Sequence, residues 1–382
     1  MTEKNLSNAP LVLLAAGGTG GHVFPALSLA KELQAAGFNT AFVTDKRGKS
    51  FNNHDDIVVY RLPVSSPRGG LTGVAKGALS IGVGYFHARK LLRTLKPAAI
   101  VGFGGYCSLP AVLAAAHQHV PILLHEANSV LGRANRLLAR YAETVAVGFP
   151  DLHNPPSSSK IAVVNTGNPV RDAISALYQQ SYTPPAPEGE LKLLVTGGSQ
   201  GAKIFSDIVP EACSLLPPAM RTRIKLTQQC RPEDIERVRR RYLELSMTVD
   251  ISPFFEDMDK KLANAHLVIC RSGASTIAEL AIAGLPALLV PYPYATDDHQ
   301  LFNAEMVAAK GAAWMISQRA LTPECLAARL ESALRDPLLL QPMHVAARNM
   351  AKPDSSRTLS ALVQTTINQH QKNTNPTGAI AA

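Results

Sequence analysis

Two glycine-rich segments, each directly behind an apolar run, carry the residue types that hold phosphate. In the first, Leu11-Val12-Leu13-Leu14-Ala15-Ala16 leads into Gly17-Gly18-Thr19-Gly20-Gly21-His22. In the second, Leu191-Lys192-Leu193-Leu194-Val195-Thr196 leads into Gly197-Gly198-Ser199-Gln200-Gly201. Each reads as a β-strand, a glycine turn and a helix N-terminus. Such a turn exposes backbone N–H groups beside a positive helix end, which suits phosphate. Repetition after about 180 residues predicts two similar α/β domains facing one cleft.

Other candidates follow strand-like runs in the same way. Arg271-Ser272-Gly273-Ala274-Ser275-Thr276-Ile277-Ala278-Glu279 comes after Leu267-Val268-Ile269-Cys270. Ser272 is a natural N-cap, and Gly273 lets a ligand approach the backbone. Glu279 can accept hydrogen bonds from both hydroxyls of a ribose, although an ordinary capped helix with a solvent-facing Glu has the same residues. Asp298, Gln300 and Asn303 follow the strand at 286–290 and suit sugar hydroxyls, or a polar loop before a helix. His22 is a candidate general base or phosphate contact, or only a cap. Gly102-Phe103-Gly104-Gly105-Tyr106 is a further phosphate cradle. In His125-Glu126-Ala127-Asn128, Glu126 is either a cleft residue or a buried structural carboxylate.

The elements that must position these groups alternate. Strands at 11–16 and 39–44 flank a helix at about 24–36 closed by Gly37. An Ala/Leu helix ends at Lys96, then come a strand at 98–101, a helix at 109–118 and a strand at 121–125. The series restarts at Leu191 and includes a strand at 266–270, a helix at 275–283 closed by Gly284 and a strand at 286–290. This alternation predicts doubly wound parallel sheets. Residues 181–190, with Pro184, Pro185, Pro187 and Gly189, read as an inter-domain linker. A last helix at about 356–368 precedes a polar tail, 369–382, expected to be disordered.

Composition narrows the class. The 382 residues are 46% hydrophobic and 5% aromatic, enough for two full cores. Five scattered cysteines without a CxxC pair argue against a disulfide framework or structural zinc and favour a reducing compartment. No apolar run reaches the ~18–20 residues of a membrane span, and the N-terminus does not read as a signal peptide. There is no Walker A motif, and Val23 stands where GxGxxG needs its last glycine, which argues against a nicotinamide enzyme. The net charge is +9, yet no Asp or Glu occurs from Ile57 to His125. That stretch carries Arg61, Arg68, Lys76, Arg89, Lys90, Arg93 and Lys96. It suits an anionic membrane surface, a phosphate substrate or nucleic acid, or is a solvated basic face. Within it, Leu79 to Phe86 suits an interfacial membrane contact or a core helix face.

Taken together, GGTGGHVFPAL (17–27), GFGGY (102–106), HEAN (125–128), GNPVR (167–171), GGSQGA (197–202), CRSGASTIAE (270–279) and DHQLFNA (298–304) resemble the MurG family. The resemblance spans residues 11 to about 350. It implies a GT-B fold of two Rossmann-like domains. Residues 1–172 would be an acceptor and membrane-association domain, and 173–354 a UDP-GlcNAc domain. A helix at about 355–370 would pack back on the first, ahead of a disordered tail at 371–382. It further implies inverting transfer of GlcNAc from UDP-GlcNAc to lipid I, giving lipid II, with no cofactor or metal. The implied location is the cytoplasmic face of the inner membrane, with 71–96 on the anionic surface. A cell-wall synthesis complex is an implied partner and nucleic acid is not.

By the same resemblance, Thr19, Gly20 and Gly21 lie near donor sugar and acceptor diphosphate, and Gly18, Gly104 and Gly105 at the latter. Asn128 contacts GlcNAc, while Arg171 and Ser199 hold the donor diphosphate. The backbone of Phe255 meets uracil. Ala274, Ser275, Thr276, Ile277, Ala278 and Glu279 bind diphosphate and ribose. Gln300 and Asn303 orient the sugar. For the base, His22 is favoured and Glu126 is second. Two rival classes are a UDP-GlcNAc 2-epimerase and a non-catalytic cell-wall scaffold.

Overall fold

Every residue of β1 (Leu11–Ala15) is buried, because helices cover both faces of the sheet that it centres. The structure, a computed structural model, describes residues 9–17, 20–45, 57–65, 70–198 and 201–374. It divides into two units, one of residues 1–171 with 354–382, the other of residues 172–353.

In the first unit β1 is followed by α1 (Gly20–Ala35), β2 (Asn39–Thr44), β3 (Val58–Arg61), α2 (Gly70–Leu95), β4 (Ala99–Gly102) and α3 (Ser108–Ala116). Then come β5 (Ile122–Glu126), α4 (Arg133–Leu138), β6 (Thr144–Val147) and β7 (Ala162–Asn165). All strand pairs are parallel, in the order β3-β2-β1-β4-β5-β6-β7. Period-two alternation sorts β1 between two cores. Leu11 and Leu13 join Leu92, Leu109 and Val112 from α2 and α3, while Val12 and Leu14 join Val23, Ala26 and Leu33 from α1. The order reverses between β1 and β4, so their C-terminal ends open the crevice where such sheets bind ligands.

The second unit repeats the plan. Its elements are α5 (Asp172–Ser175), β8 (Leu191–Thr196), α6 (Lys203–Leu215), α7 (Pro218–Arg221), β9 (Ile224–Gln229), α8 (Ile235–Glu244), β10 (Val249–Ser252) and α9 (Met258–Ala263). β11 (Leu267–Cys270), α10 (Ala274–Ala283), β12 (Ala287–Leu289), α11 (His299–Ala309), β13 (Ala313–Met315), α12 (Pro323–Arg335) and α13 (Leu340–Met350) complete it. The parallel order is β10-β9-β8-β11-β12-β13, with the reversal between β8 and β11. The chain then returns to the first unit as α14 (Ser355–Thr374), where Leu359, Val363 and Ile367 join the α1 side of the core.

The two parallel-sheet α/β units agree with the sequence reading; several details differ. Residues 181–190 are not a linker but part of the second unit. The Tyr182 hydroxyl donates to the His266 carbonyl at 3.0 Å, and its ring stacks on His344 at 4.7 Å. These contacts hold the proline-rich segment against its own unit. The polar residues 369–374 continue α14 as helix, whereas the rest of the expected tail, 375–382, lies outside the described residues. α1 begins at Gly20 rather than near residue 24. The five cysteines are free, and four of them are buried.

Candidate active site

In the second unit, the end of β11 feeds α10 with almost no loop. The N-cap is Gly273, in extended conformation and without a side-chain cap. Ser272, expected as the cap, is instead fully buried, and its hydroxyl donates to the Gln300 carbonyl at 2.7 Å. The first turn therefore offers its N–H groups and positive end without a competing side chain. In that turn the Ser275 hydroxyl is buried and has no hydrogen-bond partner among the described residues. A buried polar atom left in this way is what a ligand oxygen would satisfy. Glu279 lies further along α10, half-buried. Ala274 and Ile277 turn their side chains into the core, so only their backbone can serve a ligand.

Three further segments of this unit carry residues that the sequence marked as candidates. Gln300 accepts from the Tyr292 backbone at 3.0 Å, which closes the loop behind β12. Asn303 is fully buried, and its Nδ2 donates to the Ser272 carbonyl at 3.1 Å. Phe255 is buried, with the Lys261 ammonium 5.3 Å from its ring centre. Asp297 and Asp298 both have left-handed backbone, at φ 53° and 50°. Two adjacent non-glycine residues in that region mark a loop held by its surroundings.

The second glycine loop differs from the expected open cradle. Gly197 donates to Gln229 Oε1 at 3.0 Å, Gly198 to the Thr196 hydroxyl at 3.4 Å and Gly201 to the Gly198 carbonyl at 2.9 Å. Those N–H groups fix the turn itself. A Cβ on Gly197 would run into the Ala202 backbone, which is why the turn needs glycine. Ser199 lies outside the described residues.

In the first unit, three strand ends meet. Gly20 and Gly21 open α1, and His22 is its third residue. A Cβ on Gly17 would lie 3.2 Å from the His22 Nδ1, and one on Gly105 3.7 Å, so the imidazole sits against both turns. Gly104 and Gly105 have φ of +83° and +79°, which bends the chain tightly behind β4. Gly18 and Thr19 lie outside the described residues. His125, at the end of β5, is fully buried, and its pKa is lowered to about 4. Burial is the main cause, opposed by the Gly167 carbonyl and aided by nearby His22. His125 is thus neutral at pH 7. Arg171 holds its guanidinium 5.1 Å from the centre of the Phe24 ring.

Of the two readings of Glu126, the hydrogen bonds favour the structural carboxylate over the base. Its Oε1 accepts from the backbone and side-chain nitrogens of Asn128, both at 3.1 Å. Its Oε2 accepts from Gly132 N and Asn135 Nδ2, both at 2.9 Å. Four donors match the acceptor capacity of a carboxylate. Its work is to shape the 127–135 loop and aim Asn128.

Family models of the glycosyltransferase family 28 N-terminal and C-terminal domains match residues 12–147 and 192–359. A UDP-N-acetylglucosamine–N-acetylmuramyl-(pentapeptide) pyrophosphoryl-undecaprenol N-acetylglucosamine transferase of Rhodospirillum centenum is 48% identical over 359 residues, covering 94% of each chain. The crystal structure of Acinetobacter baumannii MurG matches with a TM-score of 0.75 at 34% identity, over 93% of this chain and 99% of that one. The chain belongs to the MurG family. A Neisseria meningitidis UDP-GlcNAc 2-epimerase matches with a TM-score of 0.63 at 15% identity, over 94% of this chain and all of the other, and shares the fold alone.

Three residues that organise these segments had no role assigned from sequence. Asn135 joins Glu126 to the His125 carbonyl, donating to it at 3.1 Å. Arg271 donates to the carbonyls of Val290 and Pro291 and to Gln318 Oε1, so it pins the start of the 291–300 loop. Gln229 organises the second glycine loop. The available signal was a polar side chain beside a strand end or on an apolar helix, but its partners are 9 to 47 residues away.

Proposed function

We propose that this chain transfers GlcNAc from UDP-GlcNAc to the 4-hydroxyl of MurNAc in undecaprenyl-diphospho-MurNAc-pentapeptide, converting lipid I to lipid II in peptidoglycan synthesis. The observation that carries this is the 48% identity, over nearly the whole chain, to a transferase of that name. The uncapped N-terminus of α10 and its unpartnered Ser275 hydroxyl support it as a donor diphosphate site.

The chemistry is an inverting displacement. The acceptor oxygen bonds to the anomeric carbon as the bond to the UDP oxygen breaks. The hydroxyl proton goes to a base, for which His22 is the choice once Glu126 is recognised as saturated. Negative charge grows on the departing diphosphate. The α10 N-terminus and Arg171 answer that charge. Phe255 backbone is assigned to uracil, Glu279 to the ribose and Gln300 to the sugar. Buried Asn303 acts by holding Ser272 under the α10 terminus. Asn128 is assigned to GlcNAc. Gly104, Gly105 and the start of α1 serve the acceptor diphosphate.

The acceptor is a lipid, and α2 supplies a surface for its membrane. Leu79, Val83 and Phe86 are 72%, 41% and 68% exposed on one stripe that also carries Lys76, Lys90 and Arg93. An apolar strip among cations suits an anionic leaflet. We assign the protein to the cytoplasmic face of the inner membrane as a peripheral protein. Among the described residues no helix is long and apolar enough to cross a membrane.

The test follows label from UDP-GlcNAc with a lipid I analogue present or absent. Acceptor-dependent transfer with a β-linked product is expected. Conversion of UDP-GlcNAc without acceptor would point to an epimerase, and binding without turnover to a scaffold.

A further inference from the structure

We propose that Gln229, without touching the ligand, positions the second glycine loop and the segment that enters Phe255, and thereby sets affinity for the uridine diphosphate group. This rests on the donor-site reading above.

Gln229 is the last residue of β9 and is buried. The register explains its reach. β9 lies between β8 and β10, with Gln228 beside Val195 and Gln229 beside Ser252. One step past those pairs lie Thr196 with the glycine loop on one side and Pro253 on the other. The carboxamide bonds to both. Oε1 accepts from the Thr196 hydroxyl at 2.9 Å and from Gly197 N at 3.0 Å. Nε2 donates to the Gly198 carbonyl at 2.9 Å and the Pro253 carbonyl at 3.1 Å. Two donors and two acceptors are all that a glutamine amide offers in these directions, and each is used. Pro253 leads directly into Phe254 and Phe255. One side chain therefore fixes the glycine turn and the entry to the uracil segment relative to each other.

No other residue type reproduces this. Glutamate would turn an acceptor oxygen on two carbonyls, and leucine would remove all four hydrogen bonds, including the buried one from the Thr196 hydroxyl. The neighbouring glutamine makes the contrast. Gln228 is fully buried, accepts from the Tyr242 hydroxyl at 2.5 Å and donates to the Phe205 carbonyl at 3.2 Å. It ties the strand to α6 and α8 and bonds to neither Gly197, Gly198 nor Pro253. It is a packing control one residue away.

The experiment measures UDP binding by calorimetry for the parent chain, Gln229→Leu, Gln229→Glu, Thr196→Val and Gln228→Leu, each well below its own Tm. Both Gln229 variants are expected to lose UDP affinity by about tenfold or more, and Thr196→Val by about threefold. Gln228→Leu is expected to lower Tm yet keep UDP affinity within about twofold of the parent. In steady state, the Gln229 variants should raise donor KM while kcat at saturating donor and acceptor KM stay near parent values. Parental UDP affinity in folded Gln229→Glu and Thr196→Val overturns the proposal, even if Gln229→Leu does not fold. So does an equal loss in Gln228→Leu. A parent chain that fails to bind UDP overturns the donor-site reading itself, and this proposal with it.

Discussion

Glu126 holds Asn128 twice through one oxygen, accepting from its backbone nitrogen and its Nδ2, each at 3.1 Å. The other oxygen is occupied by Gly132 and Asn135. Glu126→Gln would aim an NH2 group at converging donors. The expected result is a stability loss of about 1–3 kcal/mol and a raised substrate KM as Asn128 loses its orientation. The pH profile of kcat should keep both limbs. Loss of the limb on which a base must be deprotonated would return Glu126 to the role of base.

Glu279 is assigned to the donor ribose. Glu279→Ala should raise donor KM by about 10- to 100-fold, the range of one or two charge-assisted hydrogen bonds. Acceptor KM and Tm should barely move. Unchanged donor kinetics would remove Glu279 from the site.

His125 makes stability depend on pH. Its pKa is about 4 in the fold against 6.5 unperturbed. Between those values the unfolded chain binds a proton that the fold refuses. Stability is therefore complete above pH 6.5 and falls as pH drops toward 4, by roughly 3 kcal/mol in all. Urea unfolding at neutral and mildly acidic pH should show this slope, and His125→Gln should flatten it. An equal slope in the variant would assign the effect to other groups.

The α2 surface is tested with vesicles. Arg89 is half-buried, whereas Lys90 and Arg93 are exposed, so the pair to reverse is Lys90→Glu with Arg93→Glu. Binding to anionic vesicles should weaken, with each basic side chain worth about 1 kcal/mol and the effect shrinking in salt. Phe86→Ser should weaken binding at every salt concentration. Binding indifferent to all three changes would move the membrane surface elsewhere on the chain.

Much of the scaffold was legible because its signals are local. Apolar runs ending in glycine marked β1, β4 and β8, and Gly284, at φ 65°, ends α10 where a left-handed residue is needed. Glu279, Ser275 and Gln300 were legible as candidates because each follows a strand end, where open parallel sheets bind ligands. The linker reading of 181–190 failed because proline content reports loop conformation, not which unit the loop packs on. Ser272 failed as a cap because the Gln300 carbonyl, 28 residues on, competes for its hydroxyl.

The sequence by itself determined the two doubly wound sheets, the strand ends that carry the site and the family, since periodicity, turn chemistry and motif order are written in short stretches. Only the tertiary structure decided which polar groups are satisfied. Glu126 became a loop anchor, and Gln229 and Arg271 became organisers of the site. The physical reason is that parallel strands adjacent in a sheet are separated by whole crossover helices in the chain. Hydrogen-bond partners across those strands are therefore distant in sequence, and no local pattern announces them.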